Sequence, residues 1–520
     1  DNPPDPNRQQ TCSTNKRCYS EFQYIDDTSV GVAIGRCLES EADLPSFQSL
    51  SQYFRSHNTC SGGLTETAAN WLDPGYFSQG GKSVVILPNH LEFSVRIRKV
   101  VQMNTRKISL MVASAVALYI IYVFAPVYGF YAYRGGAPLP PWGWLEIPVS
   151  VPMTHEVYDS SYQPNGDKAL VLLAAHRQAI NVPAISAAVA IDGKLIWAGA
   201  TGWADLATST AVTPETEFRI GSTSKALTAT ALARLVDRGV IDLDAPISSY
   251  VLNLPNDSWS NITPRHLASH MSGLPHYKEN TDMIGLYHTT ALQKNFRDVF
   301  ESLTVFDSSE LLFKPGEGFH YSTLGTVLQG AVIASSTGLP YREVMQREVF
   351  GPADMSATFV EPKSAIDKPN MATFYLRREG KFRKWRSVNL SHRLPGGAWV
   401  STPSDLARLG VKHLDEAFLS TQTTQSFWTP QSLNSGEVNE QDYAIGWRWR
   451  EYDVDGVGLV RNANHGGVSR GSQAWLMVLP DYNMAIAFCM NTNVDDFSDF
   501  NKIYSELISA FAPAGISVSE

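Results

Sequence analysis

The sequence predicts an α/β (α+β) fold, an antiparallel sheet with helices packed on it, standing behind one transmembrane helix and an N-terminal arm. Three observations carry that reading. The last 350 or so residues run helix, hairpin, helix-rich insertion, hairpin, helix, the order of an antiparallel sheet covered by helices. Ile185 to Ile191 and Lys194 to Gly199 are joined by Asp192-Gly193, the residues a tight type I′ turn requires. Ile108 to Tyr133 carries no charge over 26 residues, and a helix needs only about 20 to cross the hydrocarbon core.

The bulk properties bound the answer. A chain of 520 residues exceeds one ordinary domain. Hydrophobic residues reach 43% and aromatic residues 11%, which excludes global disorder. The net charge of −9 and the lack of a basic stripe argue against a nucleic-acid partner. The chain starts at Asp1 rather than Met, which suggests a processed or truncated start.

Residues 1–107 form an arm or small interaction domain holding Cys12, Cys18, Cys37 and Cys60. These could form two disulfides or a metal site, although the gap between Cys12 and Cys18 is too wide for a usual zinc knuckle. Cys489 stands alone in an apolar run and reads as a core thiol.

Residues 108–133 are the membrane span, and Pro126 and Gly129 are expected to kink or end it. Arg96, Arg98, Lys99, Arg106 and Lys107 precede it and only Arg134 follows closely. The positive-inside rule therefore leaves the arm in the cytoplasm or matrix and puts the C-terminal part across the membrane. Disulfides in the arm would suit the opposite orientation better. Residues 134–165, rich in Pro, Gly and Trp, are expected to be an extended linker.

Residues 166–520 are the globular domain. Ala169 to Gln178 is an amphipathic helix, and Ala226 to Arg238 a stronger one stopped by Gly239. Residues 245–400 mix short helices with Pro/Gly loops. Ser472 to Leu479 and Met484 to Met490 are two strands, and Ser498 to Phe511 closes the chain as a helix.

The candidate chemistry begins at Ser222, at the entry to the second helix, with Lys225 three residues on. Residues three apart share a helix face, so the amine can reach the hydroxyl. Kept neutral by burial and nearby cations, it can accept the serine proton. Alone the pattern is weak, and Ser13-Thr-Asn-Lys16 matches it in the polar arm. Its plain alternative is an N-cap serine with a solvated lysine.

Tyr321, in Tyr321-Ser322-Thr323 before another helical run, supplies a phenol able to relay protons, unless it is only a core tyrosine beside a cap. His465-Gly466-Gly467 precedes a strand. Paired glycines allow a substrate backbone close to a strand edge, unless they mark an ordinary turn. The Val468 and Ser222 N–H groups could together hold an oxyanion. Gly467 to Gly471 matches a nucleophile elbow around Ser469, but a strand-like run follows it where the elbow needs a helix. His266 and His270 have the helical spacing of a metal pair but lack a zincin glutamate.

The Ser-x-x-Lys, Tyr-x-Thr and His-Gly-Gly elements, in this order and spacing, resemble the serine β-lactamase and penicillin-binding protein superfamily. In particular they resemble the mitochondrial serine β-lactamase-like proteins, relatives of class C β-lactamases. The likeness also rests on the blocks from His266 to Tyr277, Phe313 to Gly325 and Gly396 to Leu406, and covers about residues 168–515. It implies a β-lactamase/transpeptidase-like sheet with an all-α region, the active site between them, and acyl-enzyme chemistry on amide or ester bonds.

Ser222 then maps to the nucleophile, Lys225 to the general base and Tyr321 to the second base or relay. Thr323, His465, Gly466, Gly467 and Val468 map to substrate and oxyanion binding. Thr323 stands where class C enzymes carry Asn, and His465 where they carry Lys. These departures point away from β-lactam hydrolysis and toward a peptidase or esterase. No metal or organic cofactor is required. The implied partners are a peptide or ester substrate and the lipid bilayer, with self-assembly or a larger membrane complex formed through residues 1–107. The resemblance places the chain in the mitochondrial inner membrane with the hydrolase facing the intermembrane space; a bacterial periplasmic arrangement has the same charge bias. The alternative role is a catalytically silent subunit of a membrane assembly.

Overall fold

The computed structural model describes residues 19–24, 31–36, 105–277, 294–362, 369–494 and 499–512. The chain divides into two units, Asp1–Ile108 and Ser109–Glu520. In the first, strand β1 (Tyr19–Tyr24) pairs antiparallel with β2 (Gly31–Arg36). Cys12, Cys18, Cys37 and Cys60 lie outside the described residues.

The apolar helix α1 spans Thr105–Ala132, and all but its first four residues belong to the second unit. It does not break at Pro126, as the sequence had led us to expect, but continues almost two turns beyond it. Ile108–Ala132 is long and apolar enough to cross a membrane. Leu110, Tyr119 and Tyr122 on it are each more than 60% exposed, so nothing among the described residues covers this surface. The end of α1 docks on the rest of the unit. Tyr133 Oη donates to the Lys384 carbonyl at 2.9 Å, and its ring lies 5.3 Å from that of Trp385.

The stretch 134–165, expected as an extended linker, contributes to two sheets. Trp144–Leu145 pairs with Lys381–Lys384. Strand β3 (Met153–Val157) forms the edge of the main sheet. Its sequence, Met-Thr-His-Glu-Val, buries nothing fully, so it lacks the apolar alternation of a recognisable strand. It forms because the outer rim of its neighbour needs backbone partners.

Helix α2 (Gln163–Ala179) follows. Strands β4 (Ala184–Ile191) and β5 (Lys194–Asp205) make the expected hairpin, with positive φ at Asp192 (50°) and Gly193 (77°), as a type I′ turn demands. Helix α3 (Ser224–Asp237) is stopped at Gly239, helix α4 (Thr323–Thr337) comes from the long middle section, and helix α5 (Pro403–Lys412) follows that section. The sheet is completed by β6 (Arg448–Val454), β7 (Gly458–Ser469), β8 (Ser472–Leu479) and β9 (Met484–Met490), and α6 (Asp499–Phe511) closes the described chain.

The strand order is β6-β7-β8-β9-β4-β5-β3, with every neighbouring pair antiparallel. Two cores lie on its two faces. Along β9, Met484, Ile486, Phe488 and Met490 enter the core beneath α2 and α6, while Ala485, Ala487 and Cys489 enter the core beneath α3 and α5. Period-two alternation with both faces covered explains why β9 reads as one unbroken apolar run. The alanines on the α5 side admit a close helix: a Cβ on Gly410 of α5 would lie 2.6 Å from that of Ala485.

Candidate active site

Ser222 sits in a single 3₁₀ turn, Gly221–Thr223, directly ahead of α3. That turn lies against β7. A Cβ on Gly221, whose φ is +53°, would fall 2.6 Å from the Val468 carbonyl carbon, and one on Gly467 would fall 1.9 Å from the Ile220 carbonyl oxygen. The paired glycines therefore let the strand touch the chain's own serine turn. This differs from the expectation that they make room for a substrate backbone. It also places His465-Gly466-Gly467 within strand β7 rather than in a turn.

Lys225, one turn further on, is 2% exposed. Its Nζ lies 3.2 Å from Ser222 Oγ, 3.0 Å from Thr323 Oγ1 and 2.8 Å from the Gly396 carbonyl. Burial pulls its pKa well below the ordinary lysine value, and the positive charges of Arg393 and Arg448 pull it further. No carboxylate among the described residues forms an ion pair with it. A neutral amine has two N–H donors and one lone pair. The carbonyl of Gly396 and Thr323 Oγ1 can take the donors, which leaves the lone pair for the proton of Ser222.

Tyr321 precedes Ser322, whose Oγ caps α4 by accepting from Gly325 N at 2.9 Å. The Tyr321 hydroxyl hydrogen-bonds Ser222, and its ring centroid is 4.8 Å from Lys225 Nζ. Burial raises its pKa, with Arg448 and the Ser222 bond opposing. The structure thus gathers Ser222, Lys225, Tyr321 and Thr323 at one point, from two helix entries 98 residues apart at Lys225 and Thr323.

His465 is brought to the floor of the site, not its mouth. It is fully buried, with Nδ1 at 2.7 Å from the Gly466 carbonyl and Nε2 at 2.9 Å from Tyr443 Oη. The Gly466 carbonyl requires Nδ1 to donate, and in the neutral imidazole Nε2 then accepts from the Tyr443 hydroxyl. Burial and the charges of Arg448 and Lys225 likewise hold its pKa well below normal. Val468 is half-exposed. Counted back from the two-residue turn at Arg470-Gly471, ladder alternation directs the Val468 N–H away from β8.

Several residues of this site escaped the sequence reading. His270 has a φ of +62°, its ring lies 4.3 Å from that of Tyr321, and its Nδ1 accepts from Ser322 N at 3.3 Å. His266, four residues earlier, instead accepts from the backbone of Thr263 at a helix start. The two histidines share the spacing of a metal pair but lack a zincin glutamate, and each imidazole holds a separate piece of backbone. Tyr443 and Arg448 complete the surroundings, with the Arg448 guanidinium 5.6 Å from the Tyr321 ring and 5.0 Å from that of Tyr443. No motif signals them, because each is a lone residue delivered by the sheet. Ser469, of the elbow-like match, is buried at the end of β7 and followed by a hairpin into β8.

Residues 172–510 match the Beta-lactamase family model. The human mitochondrial serine beta-lactamase-like protein LACTB is 28% identical over 391 residues, which is 60% of this chain and 71% of that protein. Among solved structures, D-amino acid amidase from Ochrobactrum anthropi complexed with L-phenylalanine amide superposes with a TM-score of 0.55 at 24% identity, covering 67% of this chain and 98% of the amidase. The octameric penicillin-binding protein homologue from Pyrococcus abyssi gives a TM-score of 0.52 at 22% identity, covering 66% of this chain and 76% of its own.

Proposed function

The chain belongs to the beta-lactamase family of serine hydrolases, and from that premise we propose that it is a membrane-anchored peptidase or esterase working through an acyl-enzyme on Ser222. The observation that carries this reading is the buried, cation-flanked Lys225 amine 3.2 Å from the Ser222 hydroxyl. Ser222 Oγ attacks the carbonyl carbon while its proton passes to Lys225 Nζ. The backbone N–H groups of Ser222 and Val468 receive the developing oxyanion.

Collapse of the tetrahedral intermediate breaks the C–N or C–O bond. Tyr321 protonates the leaving group and is left as a phenolate beside the Lys225 ammonium. For deacylation that phenolate takes a proton from the attacking water, and the proton on Lys225 returns to Ser222 Oγ as the ester bond breaks. Thr323 holds the amine in place, and His465 fixes Tyr443 and the β7 backbone. A neutral imidazole in place of a lysine removes the fixed cation that would hold a substrate carboxylate, which favours peptides or esters over β-lactams.

Helix α1 anchors the enzyme. The cations ahead of the span put the hydrolase on the non-cytoplasmic side. The mitochondrial name of the human relative supports an inner-membrane location facing the intermembrane space. The octameric state of the archaeal homologue supports self-assembly, for which residues 1–107 are the proposed contact.

A fluorophosphonate probe tests the chemistry. It should label the folded chain, fail on Ser222→Ala, and react about 10²–10⁴-fold more slowly on Lys225→Met. Labelling that survives Ser222→Ala would refute the assignment, and a folded chain that never labels would favour the silent-subunit alternative.

A further inference from the structure

Where α1 meets the rest of the unit there is a cleft of about 1110 Å³. One wall is Pro126, Phe130 and Arg134, from the end of the apolar helix and just past it; the others come from residues 371–374, 384–393 and Arg470. Among the described residues seven cationic side chains line it against one carboxylate, that of Glu361. Both oxygens of Glu361 already accept from Arg219, at 2.6 Å each. Arg134, Arg386, Arg393 and Arg470 therefore have no ion-pair partner among the described residues.

They are also crowded together. Arg470 is held down to about 9 by burial and by Arg393, Arg134 and Arg386. Arg393 Nε is buried without a hydrogen-bond partner among the described residues. The stem of Arg386 lies against Gly129 of the helix, where an added Cβ would be 3.6 Å from its Cδ. Several guanidinium groups converging without a counter-charge make a costly arrangement in an empty cleft and a favourable one around a polyoxygen anion, which their planar forks grip bidentately.

The position of the cleft narrows the choice of anion. It opens beside the last turns of a helix whose exposed surface suits a bilayer, at the level where headgroups lie. Phe130, Met371 and Phe374 give it apolar wall as well as charge. We propose that this cleft binds the phosphodiester headgroup of an anionic phospholipid, with the acyl chains continuing along α1. The proposal rests on α1 being a membrane anchor. The headgroup and free inorganic phosphate share the same chemistry, so the test separates them.

The full chain is purified in zwitterionic detergent and titrated with dihexanoyl phosphatidylglycerol, dihexanoyl phosphatidylcholine and inorganic phosphate, with binding read by native mass spectrometry. The glycerol lipid should bind about tenfold more tightly than either of the others, a ratio in keeping with an about 1.4 kcal/mol advantage. The double variant Arg386→Gln/Arg470→Gln should lose at least about that tenfold, and Arg386→Lys/Arg470→Lys, which keeps the charge but not the bidentate forks, should lose less than the glutamine variant. A cooperative thermal melt followed by circular dichroism verifies that each variant is folded. Equal binding of the two lipids, undiminished binding by the glutamine variant, or phosphate binding as tightly as the glycerol lipid would each overturn the proposal. Release of the chain from native membranes by alkaline carbonate would instead refute the anchor itself.

Discussion

In the proposed mechanism Lys225 is the residue on which the chemistry turns, and its surroundings favour the unprotonated amine. It is buried beside two arginines, with no carboxylate among the described residues to stabilise an ammonium. Protonation therefore occurs at a pH well below that of a free lysine, and activity should rise with pH through that titration. Arg448 also favours the ionised form of Tyr321. Removing its charge in Arg448→Met should raise the pKa of both groups, so both limbs of a pH profile of kcat/KM should move to higher pH. A profile that stays in place would mean that Arg448 does not tune these groups. The Ser-x-x-Lys spacing made the pair legible, since i and i+3 on a helix must meet. Arg448, Tyr443 and His270 were not legible, because their approach depends on strand register and a positive-φ loop rather than on local spacing.

At the scale of elements, the crossing of β7 over the serine turn is the critical joint. Gly467 leaves no room for a side chain, since its Cβ would meet backbone, which cannot swing aside. Gly467→Ala should destabilise the domain by about 3 kcal/mol, the upper range for overpacking, measured by chemical denaturation. Unchanged stability would mean that the turn can retreat from the strand. The terminal strands β8 and β9 were readable to the residue, because apolar runs bounded by Pro480 and Asn483 have few alternative ends. Strand β3 was not, because an edge strand is specified by its neighbour's unpaired backbone rather than by its own side chains.

For the whole molecule, β3 moves the working boundary of the catalytic unit. The composition shift places it near residue 166, yet the sheet reaches back to Met153, and Trp197 Nε1 donates to His155 Nδ1 at 3.1 Å. A chain starting at residue 166 should melt at least about 5 °C below one starting at residue 150. Coincident melting curves would show β3 to be dispensable. The membrane-length helix was evident from composition alone, but its docking was not, since Tyr133, Lys384 and Arg386 meet across some 250 residues of chain.

That docking has a consequence for shedding. Gly135 and Gly136 are exposed, and a protease could nick the backbone there. One nick would not free the catalytic half, because the Tyr133 hydroxyl, the Trp385 ring and the Arg386 stem would still clasp the stump of the helix. With α1 as the proposed anchor, turning the unit into a diffusible form would take a cut followed by unclasping, so severing the peptide and liberating the domain would be separate events.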